Sequence, residues 1–315
     1  MNHSYITPAA LKPGDTIAIV SPATIVREEY IDDAERMLRQ EGFEVRVMPH
    51  AKGPASGSYA AGDKERVADL SAAWTDPDVK AILCARGGYG CNHLLMHLDP
   101  QLVKDNPKWL IGFSDVSALH ALSARAGVMS LHAPMAKHLA MLPADHYCTL
   151  RLLEILRGGL PVTYRFGGHP LNIEGEASGR LIGGNLAVIN GLASTPYDPF
   201  VIAEDNGEGH PILFIEDIAE QIYAVERMLI RLHLSGQLDR LGGIIVGAFT
   251  EYRPDRNFQD MESMISSLLE RIGLRIPVAF GFPAGHADDN LPLVLGSHAT
   301  LRVGRDSATL TMARS

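Results

Sequence analysis

A chain of 315 residues is long enough for two ordinary domains, and domains of that size need no disulfide or structural metal to hold together. Apolar residues make up 46% and charged residues 21%, a composition too apolar for disorder. Lys and Arg number 28 against 37 Asp and Glu, a formal net charge of −9. With no Lys/Arg run to read a phosphate backbone, nucleic acid is not an expected partner. Three cysteines, Cys84, Cys91 and Cys148, leave no fully paired framework and no zinc spacing, so they read as inert thiols of a reducing compartment. The first residues lack a basic and apolar leader pattern, and no stretch approaches the length of a membrane span. No membrane partner is expected, and the expected compartment is the cytoplasm.

The elements follow in chain order. Thr16–Val20 is a short apolar run after the turn Pro13-Gly14-Asp15 and reads as a buried strand. Glu28–Glu41 places Ile31, Ala34, Met37 and Leu38 on one helical face and stops at Gly42. Phe43–Met48 reads as a strand and Asp63–Trp74 as a helix, followed by strands at Val79–Ala85 and Trp109–Phe113. A helix over about Asp115–Ala126 and the apolar run Val128–Leu131 close this half. Strand and helix in alternation imply an α/β domain with a mainly parallel sheet flanked by helices.

Residues 159–178, rich in Gly and Pro, break the pattern and read as a linker with one or two irregular strands. The expected domains are therefore 1–158 and 179–315. The second is a smaller α/β domain with a helix from about Asn185, strands at Ile212–Ile215, Gly243–Phe249 and around Val278–Phe280, and helices at Glu220–Leu234 and Phe258–Ile272. Its alternating tail, from Leu291 onward, reads as a short antiparallel meander.

Three strand ends carry chemistry. At Trp109–His120 an apolar strand runs directly into a helix with Ser114 at the junction. A serine there projects its hydroxyl above the sheet, and the N–H of Asp115 lies at a helix start where it can hold an oxyanion. Val116 stands where the elbow pattern Gly-x-Ser-x-Gly has its second glycine, so a Ser/Asp helix cap is the competing reading. In Pro211–Glu220, Asp217 and Glu220 have capping-box spacing, which leaves Glu216 at the strand's end beside apolar residues. Glu216 there suits orienting a histidine, against a plain salt-bridged acid. Pro277–His286 again ends a strand in a Gly/Pro turn that delivers one polar residue, His286.

Ser114, Glu216 and His286 supply what acyl transfer requires: a hydroxyl nucleophile, an acid that fixes a tautomer, and a base. The glycines of Ala85–Gly90 lack the partners of a phosphate loop, and the Gly88 N–H suits a second oxyanion donor. His93 and His97 stand four apart but have no third ligand, and Asp288 and Asp289 read as turn residues, so no metal and no cofactor is expected.

These residues carry a resemblance over nearly the whole chain. Leu11–Ala23, Ala85–Gly90, Ile111–Asp115, Gly183–Leu186, Phe214–Asp217 with Glu220, and Gly281–His286 occur in the order found in the LD-carboxypeptidases, a family of serine peptidases. The resemblance implies that Ser114 is the nucleophile, His286 the general base and Glu216 its orienting acid. It also implies that the N–H groups of Gly88 and Asp115 form the oxyanion hole. It further implies a homodimer without metal, with serine on the N-terminal domain, Glu and His on the C-terminal one, and a cleft between them. The implied substrate is the peptidoglycan stem tetrapeptide, cut between an L-diamino acid and terminal D-alanine in cell-wall recycling. Tyr59–Arg66 is closer to the murein branch than to the microcin-immunity branch.

An exopeptidase must read a free carboxylate, and Arg86 beside the glycines is the candidate cation, with a structural salt bridge as its competing role. Two other functions remain open: an immunity-type peptidase that hydrolyses a peptidyl or aminoacyl-nucleotide toxin, and a non-catalytic peptide-binding protein on the same fold.

Overall fold

The computed structural model describes residues 5–205 and 210–314. The strands follow the apolar runs: β1 (Thr16–Val20), β2 (Glu44–Val47), β3 (Val79–Cys84), β4 (Trp109–Gly112), β5 (Ser130–His132), β6 (Val162–Gly167), β7 (Gly175–Asn185), β8 (Ile212–Ile218), β9 (Gly243–Thr250), β10 (Val278–Gly285), β11 (Leu293–Leu295), β12 (His298–Val303) and β13 (Ser307–Ala313). The described chain forms two compact units, one of residues 5–160 with 291–296, the other of 161–205, 210–290 and 297–314.

The first unit holds a sheet of order β11-β5-β4-β3-β1-β2. β2, β1, β3, β4 and β5 run parallel, and β11 adds antiparallel to β5. Buried on both faces, β1 and β4 must be apolar throughout, as Thr16–Val20 and Trp109–Gly112 nearly are. The helix Glu28–Gln40 buries Ile31, Ala34, Met37 and Leu38, the stripe read from the sequence. It stops where Gly42 takes the left-handed conformation (φ 88°), which closes the helix end without Cβ strain.

The second unit holds a mixed sheet of order β10-β9-β8-β7-β12-β13-β6. β7 joins its two halves. Gly175–Arg180 pairs antiparallel with β12, while Leu181–Asn185 pairs parallel with β8 in the register Leu181↔Ile212 to Asn185↔Glu216. One core, built on residues such as Leu213, Ile215, Val225, Leu229, Val246, Ile265 and Phe280, packs helices against this sheet. The helix Met261–Arg271 starts three residues later than the periodicity suggests, because the Asp260 side chain caps Ser263 N–H at 2.7 Å.

Three readings of the sequence change. The stretch 159–178 contains a regular strand, β6, paired through Val162–Gly167 with β13. Of the apolar tail, β12 and β13 form the antiparallel meander, whereas β11 pairs with β5 in the first unit's sheet. Asp217 and Glu220 form no capping box, since β8 runs on to Ile218 and the following helix begins at Ile222 behind Gln221. Among the described residues no helix is long and apolar enough to cross a membrane.

Candidate active site

In the first unit the strand order reverses at β1, with β2 on one side and β3 on the other, and open α/β sheets place ligands at the carboxyl ends of strands beside such a point. The segments that follow β1 and β3 meet there. Thr24 N–H donates to Gly87 O at 3.3 Å, and Tyr89 N–H donates to Thr24 Oγ1 at 3.3 Å. Ser114 follows β4, the next strand, and is one of the few non-glycine residues in the left-handed region (φ 66°). A serine held there stores strain of about 1–3 kcal/mol, which surrounding structure must sustain. Gly87 packs directly on it: a Cβ at residue 87 would lie 2.7 Å from Ser114 Cβ and 2.8 Å from its Oγ.

Gly88 follows with φ 116°, and a Cβ there would meet Thr24 Oγ1 at 2.0 Å, so only glycine fits. The Gly88 N–H has no backbone acceptor among the described residues. Asp115 is the second residue of the 3₁₀ turn Ser114–Val116, so its N–H has no partner within that turn. The two donors expected of an oxyanion hole thus belong to segments that touch at Gly87 and Ser114. The Asp115 side chain does not cap its own helix; its Oδ2 accepts Cys91 N–H at 2.8 Å. Arg86 makes no ion pair with a described residue and donates one hydrogen bond, to Ile25 O at 3.3 Å.

Behind Ser114, His120 is buried and bonds Gly112 O through Nε2 and Ser130 Oγ through Nδ1, both at 2.9 Å. Burial pushes its pKa down to about 4, so the ring is neutral and Nε2–H donates to the carbonyl that ends β4. The thiols of Cys84, Cys91 and Cys148 are buried and reduced. No group of three His, Cys, Asp or Glu side chains placed to hold a metal occurs among the described residues. His93 lies instead 3.7 Å from Asp63 and edge-on to Tyr59.

In the second unit Glu216 and His286 come together. His286 Nδ1 donates to Glu216 Oε2 at 2.7 Å, with the Glu216 side chain wholly buried and that of His286 15% exposed. In the neutral ring Nε2 then carries the lone pair, the tautomer a general base needs. Glu216 Oε1 has no hydrogen-bond partner among the described residues. Gly285 makes the approach possible: at φ 119° it lies so close that a Cβ would sit 2.8 Å from Glu216 Cβ and 2.9 Å from Oε2.

The turn is held by two residues that sequence reasoning missed. Asn290 Oδ1 accepts Gly285 N–H at 3.0 Å, and Thr250 Oγ1 donates to His286 O at 3.1 Å. Nothing local in the sequence marks Thr250, while Asn290, a buried polar residue just before the apolar run Leu291–Leu295, could have been noticed. Asp217 anchors the neighbouring helix, accepting from Asn185 Nδ2, Ile218 N–H and Ala187 N–H, each at 2.8 Å. Burial raises its pKa to about 6, although those three donors pull the other way.

The first unit is a doubly wound α/β unit with a strained serine at a strand end, and the second holds a buried Glu–His pair. The comparisons narrow the class. The LD-carboxypeptidase N-terminal domain model matches residues 17–133 and the C-terminal domain model residues 178–301, and the chain belongs to this family. It is 32% identical to the murein tetrapeptide carboxypeptidase of Pseudomonas aeruginosa, over 92% of this chain and 94% of that protein. Among solved structures it is similar to muramoyltetrapeptide carboxypeptidase from Oxalobacter formigenes (TM-score 0.84, 29% identity, 95% of this chain and 98% of that one). It is equally similar to an MccF-like protein from Bacillus anthracis (TM-score 0.84, 27% identity, 98% of this chain and 100% of that one).

Proposed function

We propose that the chain is a cytoplasmic serine LD-carboxypeptidase that removes terminal D-alanine from peptidoglycan stem tetrapeptides during cell-wall recycling. Ser114 is the nucleophile, His286 the general base and Glu216 the acid that holds the imidazole. Nε2 of His286 takes the Ser114 proton as Oγ attacks the carbonyl of the L-diamino residue. The oxyanion is held by the N–H groups of Gly88 and Asp115. When the tetrahedral species collapses, the C–N bond breaks, His286 gives its proton to the leaving D-alanine nitrogen, and the tripeptide acyl group stays on Ser114. Water, deprotonated by His286, hydrolyses that ester and restores the serine. Arg86, free of an ion pair with described residues, is the cation that reads the terminal carboxylate.

The observation that carries this reading is the 2.7 Å bond from His286 to the buried Glu216 carboxylate. A buried carboxylate with one bonded oxygen and one bare one is costly unless a cation forms beside it, as it does when the ring takes a proton. The names of the Pseudomonas and Oxalobacter relatives support the substrate. The equal likeness to the MccF-like protein supports a second reading, hydrolysis of an aminoacyl-nucleotide conjugate.

The test is purified protein with both substrates in parallel, products read by mass, alongside Ser114→Ala, Glu216→Ala and His286→Ala. D-alanine release from the tetrapeptide, lost by orders of magnitude in each variant, is the expected result. Wild-type turnover in Ser114→Ala rules out the serine mechanism, and cleavage of the conjugate alone moves the chain to the second reading.

A further inference from the structure

One buried acid beside Ser114 takes no part in these proton transfers. Asp115 lends its backbone N–H to the oxyanion, yet its carboxylate points away from its own helix. Oδ2 accepts Cys91 N–H at 2.8 Å. Cys91 ends the segment that carries Gly88, the other donor. The first residue of a one-turn helix, Cys91–Leu94, is thus held by a side chain 24 positions away rather than by a cap of its own.

That segment needs holding. Gly87, Gly88 and Gly90 give it little intrinsic stiffness, and Tyr89 is largely exposed. Its other fixings come from Thr24 and Arg66: Thr24 N–H to Gly87 O, Thr24 Oγ1 from Tyr89 N–H, and the buried Arg66 guanidinium to Gly90 O at 3.2 Å. Among the described residues, Asp115 ties it through a charged group to the chain that carries the serine. Charge-assisted bonds are about twice as strong as neutral ones and less tolerant of drift, which suits a distance that must hold to a fraction of an ångström.

We infer that the Asp115 carboxylate is a positioning group that fixes the spacing between the Gly88 and Asp115 N–H donors by tethering Cys91, an inference that rests on the oxyanion role given to those donors above. The residue acts through Gly88 and touches no substrate with its side chain.

The experiment uses the full chain and compares Asp115→Ala, Asp115→Asn and Ser114→Ala. Three quantities are read: kcat and KM on the stem tetrapeptide, the affinity of a peptidyl boronic acid that forms a tetrahedral adduct, and the affinity of the tripeptide product. Misplacing one donor should lower kcat about 100-fold in Asp115→Ala and weaken the boronate by a similar factor, with KM and product affinity within about threefold of wild type. Asp115→Asn, which keeps an acceptor oxygen for Cys91 N–H, should recover kcat to within about tenfold.

Where Asp115→Ala does not fold, Asp115→Ser carries the same comparison. Wild-type kcat in the Ala or Ser variant overturns the inference, and so does an equal fall in boronate and product affinity, which marks a merely structural role. An inert Ser114→Ala beside a fully active Asp115→Ala refutes the tether alone. A fully active Ser114→Ala refutes the underlying reading instead.

Discussion

Gly285→Ala concentrates the local physics of the Glu–His pair in one methyl group. The new Cβ would lie 2.8 Å from Glu216 Cβ, 2.9 Å from Oε2 and 3.1 Å from Cγ, where about 3.5–4.0 Å is comfortable. Glu216 is held on one side by its pairing with Asn185 of β7, while the β8–β9 register shifts between Ile215 and Asp217. The relief falls on the carboxylate and on the turn, and so on the 2.7 Å bond to His286. Backbone strain at φ 119° adds about 1–3 kcal/mol and overpacking about as much again, so a loss of roughly 2–6 kcal/mol is expected. Denaturant unfolding measures it, kcat should fall at least about 100-fold, and the low-field proton resonance of the His286 Nδ1–H should vanish. Gly273→Ala is the control: its φ is 73° and no atom lies within 4 Å of the added Cβ, so it carries strain without collision. It should cost about 1–2 kcal/mol and leave kcat alone. Full kcat and an intact low-field resonance in Gly285→Ala would refute the reasoning.

Glu216→Gln should lower kcat about 10³- to 10⁴-fold, because Oε1, without a hydrogen-bond partner among the described residues, offers nothing to keep the amide nitrogen away from His286 and the wrong tautomer is held; thermal stability should stay level or rise as a buried charge is removed. Asp217, whose folded pKa of about 6 exceeds its unfolded value, binds its proton more tightly when folded, so its contribution to stability is present at low pH and lost as pH rises through about 4 to 6. The stability gap between wild type and Asp217→Asn should shift by about 2–3 kcal/mol over that window in denaturant titrations, and a pH-independent gap would contradict the raised pKa. His120 has the opposite sign. Its folded pKa of about 4 lies below the unfolded value, so its contribution is full above about 6.5 and fades as pH falls toward 4. His120→Gln should remove that acid sensitivity from the first unit, as read by urea melts at pH 4.5 and 7.

Much of this was legible in the sequence because the signals were local. Buried strands announce themselves as apolar runs, and a polar residue delivered at a strand's end by glycines, as at Gly285-His286, stands out against them. What escaped notice depends on partners far along the chain. Leu293–Leu295 reads as one more tail strand, and only its pairing with Ser130–His132 puts it in the other sheet. Asp217 has the spacing of a cap, but β8 continues because Ile218 pairs with Thr250, and the carboxylate turns to Ala187 instead. The Asp115 side chain reads as a cap for the same reason and holds Cys91. The helix Tyr147–Leu156, capped by the His146 ring, went unread although Leu152, Leu153, Ile155 and Leu156 are buried along it.

The most direct test of the central claim is chemical capture of the intermediate. Tetrapeptide mixed with enzyme and quenched in acid within milliseconds should yield a population of protein heavier by the tripeptide acyl group, mapped by digestion to Ser114, with one D-alanine released per adduct. Steady release of D-alanine with no mass gain at Ser114 at any quench time, together with undiminished turnover in Ser114→Ala, would contradict it.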